Sequence, residues 1–130
     1  MKKSYALLLL FTTLLAGCTY DNLGPDTENG VWIRITNAGS YDFENVYVNT
    51  GSDEHQYGDI PAGQSSTYVE YESAYRYAFI ELQINGDTFN IQPIDYVGET
   101  LLENGAYTYE IDADNSNNRY GRLSLTLRED

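Results

Sequence analysis

From Tyr77 to Ile84 every second residue is aliphatic: Ala78, Ile80, Leu82 and Ile84 alternate with Tyr77, Phe79, Glu81 and Gln83. A repeat of two puts each set on its own face of an extended strand, whereas a helix would spread them around its circumference. Asn85-Gly86 follows at once, and Phe89 and Ile91 resume the pattern. Asn-Gly adopts positive φ at little cost, so it predicts a tight turn closing an antiparallel hairpin. A chain carrying this segment must build a sheet and must cover its aliphatic face.

The same period recurs along the chain. Val31, Ile33 and Ile35 alternate with Trp32, Arg34 and Thr36, and Val46 and Val48 alternate with Asn45, Tyr47 and Asn49. A third strand falls around Tyr68–Tyr71, with its inward face undecided by the pattern. Tyr107, Tyr109 and Ile111 make another face, and Leu123, Leu125 and Leu127 the last. Ile60-Pro61-Ala62-Gly63 and Asn104-Gly105 supply turns, and no stretch between offers a helix of useful length. The expected fold is all-β: an antiparallel β-sandwich of about seven strands, immunoglobulin-like or prealbumin-like. A small closed barrel is the alternative.

The N-terminus follows a different rule. Lys2 and Lys3 precede an apolar run from Tyr5 to Leu15. That run is shorter than the roughly 20 residues a spanning helix needs, and small residues follow it, as in a secretory signal. Leu15-Ala16-Gly17-Cys18 resembles the lipobox of bacterial lipoproteins. The resemblance implies removal of residues 1–17 and a diacylglycerol thioether on Cys18, whose thiol is the nucleophile that takes the lipid. Acyl chains in pairs anchor stably where one chain is marginal. Residues 18–29, broken by Gly24-Pro25 and carrying Asp21, Asp26 and Glu28, are expected to form a flexible acidic tether, and residues 30–130 the sandwich.

Losing residues 1–17 removes two lysines and leaves five arginines against 20 acidic residues, a net charge of −15 compared with −13 for the whole chain. Such a surface repels phosphate, which argues against nucleic-acid binding and against lying flat on anionic lipid. Cys18 is the only cysteine, so the exported domain must rest on its core rather than on disulfides.

Two further resemblances bear on the body. Leu102 to Ile111, with Tyr107 opening a late strand, resembles the tyrosine corner of immunoglobulin-like and fibronectin-like domains. The Cys18 box, Ile33-Arg34-Ile35-Thr36-Asn37, Ile60-Pro61-Ala62-Gly63-Gln64 and Gly105-x-Tyr107-Thr108-Tyr109 together resemble small Bacteroidota lipoproteins with one sandwich. That implies an outer-membrane setting, with the acidic tether resembling those of surface-displayed members. It implies a fold and no reaction.

Little in the chain carries catalytic chemistry. The single histidine, His55, falls in the polar stretch Gly51–Gln56, read as a solvated loop, and no serine lies in a nucleophile elbow. Zinc-type His and Cys clusters are missing from the sequence. Asp112, Asp114 and Asn117 begin like a calcium loop but depart from the EF-hand pattern at Asn117 and Leu123; they remain candidate oxygen ligands for calcium. Tyrosine is abundant, at 13 residues. Trp32, Tyr47 and Tyr77 face away from their strands' apolar residues and are candidate ligand-binding rings. The expected function is a non-enzymatic, lipid-anchored interaction or accessory module; the alternative is a carbohydrate-binding module using those aromatics.

Overall fold

The computed structural model describes residues 24–130, so the Cys18 box and the first part of the tether lie outside the described residues. Eight strands follow: β1 (Val31–Asn37), β2 (Phe43–Asn49), β3 (Glu54–Ile60), β4 (Val69–Tyr71), β5 (Phe79–Ile84), β6 (Asp87–Ile91), β7 (Gly105–Ala113) and β8 (Leu123–Glu129). They form two four-stranded sheets, β4-β1-β7-β8 and β3-β2-β5-β6, packed as a sandwich. All neighbours run antiparallel except β1 and β7, which pair in parallel from Val31–Gly105 to Asn37–Ile111.

The alternating residues meet in the middle. Ile33, Ile35, Val46, Val48, Ile80 and Leu82 are fully buried between the sheets, with Phe43, Tyr109 and Ile111. Each such side chain contributes about 1.5–3 kcal/mol through removal from water. Leu125 and Leu127 are only partly covered, because β8 is an edge strand. The Asn85-Gly86 turn forms as its sequence requires: both residues have positive φ, 51° and 84°, and Ile84 pairs with Asp87. At β4 the inward face is Val69 and Tyr71.

The strand absent from the sequence reading is β3. His55 therefore belongs to a strand rather than a solvated loop. The segment is an edge strand whose inward side holds His55, Tyr57 and Ile60 in place of an aliphatic series. Its pairing with β2 is bulged, with Asn45 and Gly58 at positive φ, which blunts the edge against further pairing.

Buried polar side chains lock the sheets together. The Asn37 amide nitrogen donates to the Tyr41 and Ile60 carbonyls at 2.7 and 2.9 Å, and its oxygen accepts from the Gly39 amide at 3.0 Å. Tyr57 in one sheet donates to the Ile33 carbonyl of the other at 2.9 Å, and its hydroxyl lies 3.0 Å from that of Tyr71. The Tyr107 hydroxyl donates to the Glu103 carbonyl at 2.8 Å, four residues upstream, which is the hydrogen bond of a tyrosine corner.

On the outer face of β4-β1-β7-β8, Asp130 collects donors. Its carboxylate accepts from Thr108 at 2.6 Å, Tyr68 at 2.7 Å and Arg128 at 3.1 Å, with Arg34 at 3.6 Å. Partial burial works against the charge, but these hydrogen bonds and cations outweigh it and hold the carboxyl below its ordinary range. A depressed folded-state value stabilises the fold above the unfolded pKa, and the contribution is lost as pH falls through the folded one. Asp130→Asn is therefore expected to cost about 1–2 kcal/mol at neutral pH. The deficit should close in acid, and denaturation at a series of pH values checks this; a deficit independent of pH would contradict it.

Candidate functional site

The three rings singled out in the sequence do not share one surface. Trp32 lies on the outer side of β1 and Tyr47 on the outer side of β2, so they sit on opposite faces of the sandwich. The Trp32 indole is moreover occupied. Its N–H is shared between the Asp26 and Asn29 carbonyls at 3.1 and 3.2 Å. The Asp26 carboxylate accepts from the Glu28 amide, and Asn104 reaches back to the Glu28 carbonyl at 3.1 Å. Residues 26–29, expected to be tether, are a turn clasped to the body by Trp32.

Tyr47 and Tyr77 each contact a ring that lines one groove, Phe79 and Tyr96 respectively, without lining it themselves. Tyr47 meets Phe79 edge to face at 6.1 Å. Its hydroxyl bonds the Glu54 carboxylate, and that bond, followed by desolvation, pushes the phenol above its ordinary value. Beyond Phe79 the loop from Gln92 to Asn104 brings Tyr96 against two near-parallel rings, Tyr75 at 4.5 Å and Tyr77 at 5.6 Å. Between Phe79 and Tyr96 runs an open groove of about 340 Å³, walled by Pro93 and Ile94 and floored at Asn49 and Gly51. Gly51 has φ +95°, and a Cβ there would lie 3.4 Å from the Tyr96 ring, so glycine lets the chain turn directly beneath it.

Several bonds hold the two loops together. The Leu102 amide donates to the Ala74 carbonyl at 2.9 Å and Tyr77 to the Asp95 carbonyl at 3.1 Å. Buried Tyr109 donates to the Tyr75 carbonyl at 2.6 Å. On this braced loop Ile94 is 100 % exposed and Val97 87 %. The stretch Pro93-Ile94-Asp95-Tyr96-Val97 has no strand period, so its only sequence signal is apolar residues placed off every inward face.

A second hollow, of about 310 Å³, lies on the same outer face beside Tyr47, lined by Asn45, Gln56, Glu81, Gln83 and Thr88. Its amides and carboxylate are polar, in contrast with the apolar groove.

The calcium candidates do not gather into a site. Asp112, within β7, accepts from the Ala113 amide at 2.8 Å, and Asp114 accepts from the Ser116 amide at 2.7 Å, closing a local turn. Arg122 donates to the Asp114 backbone carbonyl at 2.9 Å, so that oxygen is already engaged. Asn117 lines a different hollow, with Asp87, Thr88 and Arg119. Among the described residues no group of three His, Cys, Asp or Glu side chains could hold a metal ion.

His55 bonds Asp53 at 3.2 Å and sets its ring edge against Tyr71 at 4.6 Å. Partial desolvation opposes the Asp53 charge, but the Glu54 amide and His55 together hold the carboxyl below its ordinary value. Ser73 donates to Ser52 at 2.8 Å, and Ser52 in turn donates to the Ser73 carbonyl. Among the described residues no serine hydroxyl bonds the histidine, so the Ser-His contact of an acyl-transfer site is not assembled.

No family model matches the chain, and no curated protein matches it. Among solved structures, a protein from Eubacterium rectale determined by NMR is similar over 78 % of this chain and 93 % of its own, at 16 % identity and a TM-score of 0.52. That likeness is one of fold: the chain is a two-sheet β-sandwich.

Proposed function

We propose that this is a lipid-anchored protein of the bacterial cell envelope, held in the outer membrane through Cys18, whose sandwich is a non-enzymatic interaction module. The anchor rests on Leu15-Ala16-Gly17-Cys18. The observation that carries the interaction reading is the pair Ile94 and Val97, almost wholly exposed on a loop braced by tyrosines. Apolar side chains held out in water on an ordered loop lose nothing on meeting a partner and gain its contact. The clasp at Trp32 leaves residues 18–25 as the tether, with a fully extended reach of about 28 Å. The module therefore works close to its membrane.

Cys18→Ser is expected to move the protein from the membrane to the soluble fraction and to abolish acyl labelling; a variant that stays membrane-bound and labelled would overturn the anchor. For the interaction, a benzophenone amino acid in place of Val97 is expected to give a discrete protein adduct in intact cells. Absence of adducts from every exposed position of the sandwich would sink that reading.

A second reading is supported by the polar hollow beside Tyr47, whose amides, carboxylate and ring edge suit the hydroxyls and apolar faces of sugars. A glycan array probed with the full chain tests it. Sugar binding that is lost in Gln83→Ala would favour this reading over the first.

A further inference from the structure

We propose that the groove between Phe79, Pro93 and Tyr96, with Ile94 at its lip and Val97 exposed three residues further along the same loop, receives an apolar side chain from a positively charged protein segment. This rests on the interaction reading and names its partner class.

The walls supply the first argument. Phe79, Pro93, Ile94 and Tyr96 offer apolar surface around a space that one large side chain can enter. Such a pocket, ringed by polar groups, is the usual seat of an interface anchor. The tyrosine stack and the Tyr77–Asp95 bond fix its shape before binding, so little ordering entropy opposes association.

Charge supplies the second. The adjoining hollow shares Asn49 and Gly51 with the groove and continues to Asp53 and Glu54. On the other side Asp95 lines the groove itself, and Glu99 follows in the same loop with its amide donating to the Tyr96 carbonyl at 3.0 Å. Cations are engaged elsewhere. Arg34 and Arg128 serve Asp130, Arg122 lies against Tyr41 and Phe89, and Arg119 pairs with Glu81 at 4.0 Å. Arg76 alone belongs to the loop of the tyrosine stack. An apolar pocket inside an acidic rim is complementary to a segment carrying Lys or Arg around an aliphatic or aromatic anchor. A second copy of the processed chain, at −15, would set like charges against the rim, and an anionic lipid surface would do the same.

Selection from a random peptide library on the full chain in detergent tests this. The expected result is enrichment of peptides with an apolar anchor flanked by Lys or Arg. Their affinity should fall at least about tenfold with Ile94→Asp or Val97→Asp, and should weaken as salt is raised. Both positions are exposed, so unchanged melting temperatures should accompany the loss. Acidic or uncharged enriched peptides, or affinities unmoved by both variants, would overturn this assignment while leaving an interaction module elsewhere on the surface. Concentration-dependent dimerisation lost in Ile94→Asp would overturn it in favour of a second copy. Glycan binding with no peptide enriched would overturn both this inference and the protein-partner reading beneath it.

Discussion

Asn37→Leu is expected to destabilise the domain by about 3–5 kcal/mol and to lower its melting temperature by roughly 15 °C or more. Asn37 is fully buried at the end of β1, and its amide serves three backbone groups at once. The Tyr41 and Ile60 carbonyls and the Gly39 amide would each lose a partner. A buried backbone group left without one costs about 1–3 kcal/mol, and leucine can replace the volume but none of the bonds. The effect should exceed that of removing a methylene from the neighbouring core, as in Ile35→Val, at about 1 kcal/mol. Chemical denaturation of both variants checks the order; an Asn37 variant no worse than Ile35→Val would contradict it.

The Tyr57–Tyr71 pair gives the second large effect. Tyr57 donates its single proton to the Ile33 carbonyl, so Tyr71 must be the donor to Tyr57. Burial pushes both phenols upward, so both stay neutral through the range in which the protein works. Tyr57→Phe removes the bond across the sheets and strands the Tyr71 hydroxyl, at an expected cost of about 2 kcal/mol. Tyr71→Phe leaves the bond to Ile33 in place and is expected to cost about 1 kcal/mol or less. The double variant should be no less stable than Tyr57→Phe alone, because the stranded hydroxyl goes with its partner. Simple additivity in a double-mutant cycle would contradict this proton arrangement.

What the chain disclosed before folding follows from where its interactions lie. β5 and β6 were legible because alternation and the Asn85-Gly86 turn are local. The Tyr107 corner was legible for the same reason, since its bond spans four residues. β3 was not, because an edge strand can hold its inner face with His55 and Tyr57, which alternate like any polar segment. The parallel pairing of β1 with β7 joins residues more than 70 positions apart and leaves no local trace. Trp32 looked free because its indole acceptors come from Asp26 and Asn29, in a stretch whose composition suggests linker. Tyr77 is half-buried and lies off the core face. Its neighbours Tyr96, Ile94 and Val97 lie in a loop with no period to count, and only the fold brings them to Phe79.

The same contrast separates the two outer faces. On β4-β1-β7-β8, aromatic and charged groups are engaged: Trp32 by the N-terminal turn, Tyr68 by Asp130, Arg128 by Glu110. On β3-β2-β5-β6 Tyr47 and Glu81 are likewise engaged, by Glu54 and Arg119, but the apolar groove and the polar hollow lie open on this face and its adjoining loop. The proposed recognition surface therefore lies on this second face, away from Trp32.

The most direct measurement is the affinity of the partner identified by cross-linking at position 97, determined by calorimetry for the full chain and for Ile94→Asp and Trp32→Phe. The account predicts at least about a tenfold loss for Ile94→Asp with an unchanged melting temperature, and unchanged affinity for Trp32→Phe. Equal affinities for the parent and Ile94→Asp, or a loss confined to Trp32→Phe, would contradict it.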